Sequence, residues 1–159
     1  MSTTLRTIEF LCLGVWIGGI CLLSFVVAPG AFSVMPNQTL AADIVRFTLS
    51  RLHLIGIGAG VVYLVVAFLR HASFASFARA VIVIVLLMIV LTAVSQFVVT
   101  AHMAQLRRQM DAQAGSVSNT AADNPLRAQF DQLHHYSVWI EGTVLLLGIA
   151  AMYLTVRSN

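Results

Sequence analysis

Four continuous apolar stretches, at residues 8–29, 52–69, 80–103 and 134–155, constrain the fold of this 159-residue chain more than any other feature. Each is close to the ~20 residues that an α-helix, rising ~1.5 Å per residue, needs to cross a hydrocarbon core of ~30 Å. A membrane-barrel strand would instead alternate apolar and polar residues. The pattern predicts an all-α integral membrane four-helix bundle, with residues 1–159 forming a single four-span domain.

Composition and charge agree with a membrane location. Hydrophobic residues make up 59% of the chain and charged residues 9%, whereas about a quarter of the residues in a soluble domain are charged. The basic residues are all arginines and form no stripe for nucleic acid, so the lipid bilayer is the expected partner. Arg6, Arg70, Arg79 and Arg157 lie in short flanks, which favours a bacterial inner membrane protein with both termini in the cytoplasm. Glu9, in the first helical turn, is expected to be a solvated end group.

Four of the five histidines fall on the same predicted side of the membrane. His53 opens the second apolar stretch, His102 closes the third, and His134 and His135 open the fourth. Imidazoles from three helices at one depth could bind copper or zinc, and two facing histidines could ligate haem b as a less favoured alternative. The spacing matches no established metal motif, and interfacial histidines can also simply hydrogen-bond carbonyls and headgroups.

A carboxylic acid within the fourth stretch adds to this histidine cluster. Glu141 lies about two helical turns below His134, on a face that also carries Ser137 and Arg127. An ionisable residue inside a membrane is read by default as a functional site, although a protonated acid that only links two helices is the alternative. The sequence therefore predicts a metal or ligand site at His53, His102, His134 and Glu141, supported by the polar residues Gln96, Ser95, Ser137 and Arg127.

Two pairs of glycines predict close contacts between helices. Gly14 and Gly18 are four residues apart, as are Gly56 and Gly60, and small residues at this spacing allow membrane helices to approach closely. Trp16 lies between the glycines of the first pair. We expect its indole to pack in the groove that these neighbouring glycines create.

The run Arg127-x-x-Phe130-x-x-x-His134-x-x-Ser137-x-x-x-Glu141 resembles the last-helix signature of the transmembrane-protein-205-like family. Members of that family are four-span membrane proteins whose biochemical activity is not established. Support comes from Trp16-Ile-Gly-Gly and from Phe25-Val-Val-Ala-Pro29-Gly-Ala-Phe32 in the first stretch. The resemblance implies that Arg127, Phe130, His134 and Ser137 belong to a characteristic polar face.

Two positions depart from that family's pattern. Glu141 stands where asparagine is usual, and His102 stands where a proline is usual near the end of the third helix. Both departures add an ionisable or metal-capable group, which would allow this chain a property that typical members lack.

These observations favour a small, non-enzymatic membrane protein that binds a metal ion or another polar ligand at the histidine side. The chain carries no nucleophile elbow, no phosphate-cradling glycine loop and no cysteine pair suited to redox chemistry. One alternative is an accessory or structural subunit that associates with itself or with a larger respiratory or photosynthetic membrane complex. A further alternative is a haem- or quinone-linked electron carrier.

Overall fold

The computed structural model describes residues 2–71 and 80–157, and the regular structure of these residues is entirely helical. Six α-helices follow one another along the chain: α1 (Ser2–Leu22), α2 (Ala28–Val34), α3 (Gln38–His71), α4 (Ala80–Val94), α5 (Thr100–Ala114) and α6 (Pro125–Arg157). Two short π-helical segments, Leu23–Val27 and Ser95–Val99, join α1 to α2 and α4 to α5. Because the π-segments continue the adjacent helices, the described residues form four long helical rods.

These rods are long and apolar enough to cross a membrane, and we call them the first to fourth spans: Thr3–Val34, Gln38–Arg70, Ala80–Ala114 and Pro125–Arg157. The predicted all-α four-helix membrane bundle is therefore confirmed. The rods extend well past the apolar stretches of the sequence, and the second begins at Gln38 rather than near residue 52. Hydropathy marks only the part of a helix that suits hydrocarbon, whereas the helix itself continues into amphipathic sequence.

The outside of the bundle is apolar. Large side chains such as Phe25 (72% exposed) and Trp139 (74% exposed) point away from the protein. Exposed apolar area on this scale is unusual for a protein in water and suits a lipid environment.

Trp16 is the largest side chain in the buried core, and it packs against the second span. A Cβ atom added to Gly56 would lie 2.4 Å from the indole Nε1 of Trp16, and one added to Gly60 would lie 2.6 Å from its Cζ3. The groove for the indole is thus built by Gly56 and Gly60. The expectation that Gly14 and Gly18 form it is wrong, since a Cβ at either position meets nothing within 4 Å. Residues two apart on a helix are ~200° apart around its axis, so these glycines face away from the Trp16 side chain.

This packing predicts a position-specific effect of adding one methyl group. Gly56→Ala and Gly60→Ala should each destabilise the bundle by about 1–3 kcal/mol, because the rigid indole cannot retreat from the new Cβ. Gly58→Ala is the matched control, since its Cβ would point into open space on the same helix. Thermal unfolding in detergent, followed by circular dichroism, measures the difference. Equal unfolding temperatures for all three variants would contradict the observed packing.

The two π-helical segments change the register of their helices. In the first, Ala28 N–H donates to Leu23 O just before Pro29, which has no N–H of its own to donate. In the second, Thr100 N–H donates to Ser95 O, and the segment carries Gln96. Single π-turns inside α-helices occur frequently at functional sites, so the second segment directs attention to the side chains around Gln96.

Candidate functional site

A buried histidine in the second span joins three of the four spans through its two ring nitrogens. His53 Nδ1 lies 2.9 Å from Gln96 Oε1 of the third span, and His53 Nε2 lies 2.5 Å from Glu141 Oε1 of the fourth. Gln96 Nε2 in turn donates to Ser50 Oγ at 2.9 Å. We call the connected residues Ser50, Gln96, His53 and Glu141 the His53 network.

Local helix geometry brings these groups together. Ser50 and His53 are three residues apart and therefore share one face of α3. Gln96 reaches both of them from the π-helical segment Ser95–Val99. Glu141 projects from α6, in a helix whose neighbouring residues are mainly apolar. The network is therefore an interhelical site, with two side chains from the second span and one each from the third and fourth spans.

The hydrogen-bond pattern limits the proton positions in the network. Because the amide of Gln96 donates to Ser50, its oxygen is the acceptor for His53, and the Nδ1–H of the imidazole donates to it. His53 Nε2 then either accepts a hydrogen bond from a protonated Glu141 or donates one to its carboxylate. These two arrangements differ only in the position of one proton between Nε2 and Oε1.

Burial makes this pairing energetically important. The His53 side chain is 2% exposed and that of Glu141 is 14% exposed. An unpaired charge or an unmade hydrogen bond in such surroundings costs several kcal/mol. The imidazole of His53 and the carboxyl group of Glu141 avoid this cost by hydrogen-bonding to each other. Two more polar groups lie close by in the sequence of the third span: Thr92 Oγ1 and Ser95 Oγ are buried and have no hydrogen-bond partner among the described residues.

The structure brings His53, Gln96 and Glu141 together but does not add His102 or His134 to them. Both of these histidines are exposed. Across residues 2–71 and 80–157, no group of three or more His, Cys, Asp or Glu side chains could hold a metal ion. The three-histidine cluster was expected because His53 was placed at the start of the second helix. Since that helix begins at Gln38, His53 lies deeper in the bundle, at the level of Glu141.

The remaining predicted site residues lie at different places. Ser137 is buried one turn before Glu141, and Ser95 precedes Gln96 in the π-helical segment. Arg127 lies away from the network, where it pairs with Asp131 at 3.1 Å and donates to Val117 O at 2.6 Å. Arg127 thus ties the start of α6 to the preceding loop.

A second polar cluster, which the sequence did not predict, lies near the opposite end of the bundle. Glu9 is completely buried and forms an ion pair with Arg70 at 3.1 Å. The expectation that Glu9 is a solvated end group is therefore wrong. Arg6 donates to Thr155 O at 3.3 Å, and Tyr63 Oη lies 2.9 Å from Thr155 Oγ1. The sequence did contain one indication of this pair, because Glu9 and Arg70 carry opposite charges at the same end of two neighbouring spans.

The fold and the His53 network define a four-span, all-α membrane protein with a buried polar site between its last three spans. The family described as Domain of unknown function (DUF4149) matches residues 11–112, which is more than half of the chain. The chain therefore belongs to this family. The match includes His53 and Gln96 and ends before Glu141. No curated protein and no solved structure matches the chain.

Proposed function

We propose that this protein is a non-enzymatic membrane protein that binds a polar, protonatable ligand at the His53–Glu141 pair. The observation that carries the proposal is the 2.5 Å contact between His53 Nε2 of the second span and Glu141 Oε1 of the fourth. Ionisable groups are rare within membrane spans, where they commonly serve as ligand sites or proton relays.

The chemistry of the pair suits a ligand that carries or accepts a proton. His53 is held by Gln96 on one side, so its other nitrogen can give a proton to Glu141 or take one from it without a backbone movement. A polar ligand that displaced His53 from the carboxylate would exchange one hydrogen bond for another. The unpartnered hydroxyls of Thr92 and Ser95, as far as the described residues go, offer further hydrogen bonds.

Copper, zinc and haem b fit these residues poorly. His53 and Glu141 supply two donor groups, whereas zinc is almost always four-coordinate in structural sites and has three protein ligands in catalytic ones. Both ring nitrogens of His53 are already hydrogen-bonded, so binding iron or another metal would break one of these contacts. The proposal therefore concerns a polar organic ligand.

Proton exchange at the pair can be followed directly, because Glu9 and Glu141 are the only glutamates in the chain. With carboxyl-¹³C-labelled glutamate, we expect two NMR signals, one of which disappears in Glu141→Gln and the other in Glu9→Gln. The chemical shift of the Glu141 signal should report its hydrogen bond to His53, so His53→Gln should change that chemical shift. His134→Gln, at an exposed histidine, should leave it unchanged. A Glu141 signal with the same chemical shift in His53→Gln as in the unmodified protein would refute proton sharing in the pair.

Ligand binding itself is tested by mass spectrometry of gently purified protein. A retained small molecule should be lost in Glu141→Gln, whose neutral amide preserves the shape of the side chain but cannot exchange a proton with His53. Elemental analysis of the same sample checks for metal. Stoichiometric copper, zinc or iron would overturn the assignment of an organic ligand.

An accessory or structural subunit is the second candidate function, and a specific observation favours it. Gly14 and Gly18 lie on the exposed surface of the first span with open space above both. Glycines four residues apart on an outer face suit close approach by another membrane helix. If this face binds a subunit, Gly14→Leu and Gly18→Leu should abolish co-purification of that subunit while the His53 network stays intact.

The finer features predicted from the sequence complete the proposal. They are the transmembrane-protein-205-like resemblance, organisation as a single domain, and a bacterial inner membrane location with both termini in the cytoplasm. The arginines in the short flanks support the orientation. Reporter fusions at the two termini, with activity restricted to one side of the membrane, test it.

A further inference from the structure

α3 and α5 enclose a charged cleft of about 350 Å³, and none of its lining residues belongs to the His53 network. Its lining residues are Asp43, Arg46, Ala104, Arg107, Arg108 and Asp111. A smaller cavity of about 240 Å³ shares Arg46 with the cleft and is otherwise lined by Phe47, Ser50 and Thr100. The two cavities thus form one surface that is strongly charged at one end and partly apolar at the other.

Arginines outnumber the carboxylates in the cleft by three to two. Asp43 pairs with both Arg46, at 3.1 Å, and Arg107, at 2.7 Å. Asp111 lies 3.8 Å from Arg107. Within the described part of the chain, Arg108 has no ion pair. The cleft therefore retains positive charge, and its carboxylates are already engaged by arginines, which suits an anion better than a cation.

The height of the cleft along the bundle matches the headgroup layer of a bilayer. Arg46 precedes Arg70, at the other end of the second span, by 24 residues or about 36 Å of helix. Arg107 follows Ala80, at the other end of the third span, by 27 residues or about 40 Å. Both distances exceed the ~30 Å hydrocarbon core and fall within or near the ~40–45 Å that includes the headgroups.

We infer that this cleft binds the phosphate group of an anionic phospholipid from the surrounding bilayer. Planar guanidinium groups of Arg46, Arg107 and Arg108 suit phosphate oxygens, and basic pockets between membrane helices are typical sites for anionic headgroups. Phe47, which is 63% exposed, lies in the adjoining cavity and offers an apolar surface for the glycerol and the start of an acyl chain. The inference is independent of the ligand proposed for His53 and Glu141.

The test is native mass spectrometry of the full-length protein, loaded with phosphatidylglycerol or phosphatidylcholine in detergent. We expect one phosphatidylglycerol to be retained in preference to phosphatidylcholine. Arg108→Gln should weaken retention roughly fivefold, and Arg46→Gln/Arg108→Gln roughly twenty-five-fold, since each arginine near an anionic lipid contributes on that scale. Arg157→Gln, which removes the same charge at the other end of the bundle, should have no effect. Far-ultraviolet circular dichroism checks that each variant is folded.

A further arm distinguishes a lipid phosphate from a free one. Inorganic phosphate added to the loaded protein should not displace phosphatidylglycerol if the chain contact with Phe47 contributes, and Phe47→Ser should then weaken retention. Displacement by inorganic phosphate would assign the cleft to soluble phosphate and overturn the lipid assignment. Equal retention of the two lipids, or equal retention by Arg46→Gln/Arg108→Gln and Arg157→Gln, would overturn the site itself.

Discussion

Replacing Glu9 with leucine is expected to destabilise the bundle by about 3–5 kcal/mol, one of the two largest effects that the structure predicts. Glu9 is completely buried, and its ion-pair partner Arg70 is only 14% exposed. Leucine would leave the guanidinium without its counter-ion in an apolar region, where the loss of one partner costs far more than the loss of both. Equilibrium unfolding in mixed micelles of mild detergent and sodium dodecyl sulfate measures the change.

The double variant Glu9→Leu/Arg70→Leu provides the control for this experiment. Removing both charges eliminates the unpaired group, so the double variant should regain much of the stability that Glu9→Leu loses. If the loss of stability in the double variant equals the sum of the losses in Glu9→Leu and Arg70→Leu, the 3.1 Å ion pair does not explain why a carboxylate is buried at this position.

The second large effect is expected from Trp16→Ala, which should cost about 3 kcal/mol. In a membrane, an exposed apolar side chain meets lipid rather than water. The lost stability is therefore due mainly to the missing van der Waals contacts and to the cavity that the indole leaves. The indole of Trp16 fills the groove above Gly56 and Gly60, where the side chain of Ile89 also lies against Gly60. The same unfolding titration measures the difference from the unmodified protein.

The effect of Gly56→Ala on stability is expected to change sign when Trp16 is absent, which makes this prediction specific. In the unmodified protein, Gly56→Ala introduces a clash with Trp16, whereas in the Trp16→Ala background the same methyl group enters the empty groove. We therefore expect Gly56→Ala to be neutral or stabilising in the Trp16→Ala protein. A constant penalty in both backgrounds would show that Gly56 is required for a reason other than the indole.

The sequence was sufficient to predict the spans, because continuous apolar stretches of membrane length have few alternatives to a helix. It was less informative about which polar residues meet. His53 and Glu141 were both selected as site residues, but their contact depends on the depth of each helix in the bundle. Hydropathy predicts that the second helix begins near residue 52, which is 14 residues after its observed start at Gln38. His53 was therefore predicted to lie at the membrane interface rather than inside the bundle.

Glu9 illustrates a different limit of sequence reasoning. A carboxylate in the first turn of a helix is often solvated, and nothing in its local sequence distinguishes a buried one. The deciding information is the position of Arg70, which is 61 residues away in the chain but packs against Glu9 in the bundle. The same applies to Trp16, whose glycine groove is on the neighbouring helix rather than on its own.

The π-helical segment Ser95–Val99 can be viewed as a one-residue insertion in an otherwise regular helix. Deleting one residue there would restore regular α-helical bonding and turn everything beyond it by ~100° relative to α4. Arg107 and Arg108 would then rotate away from Asp43, even though they lie more than two turns further along the chain. The length of this short segment thus sets the angular register between the buried polar network and the charged cleft above it.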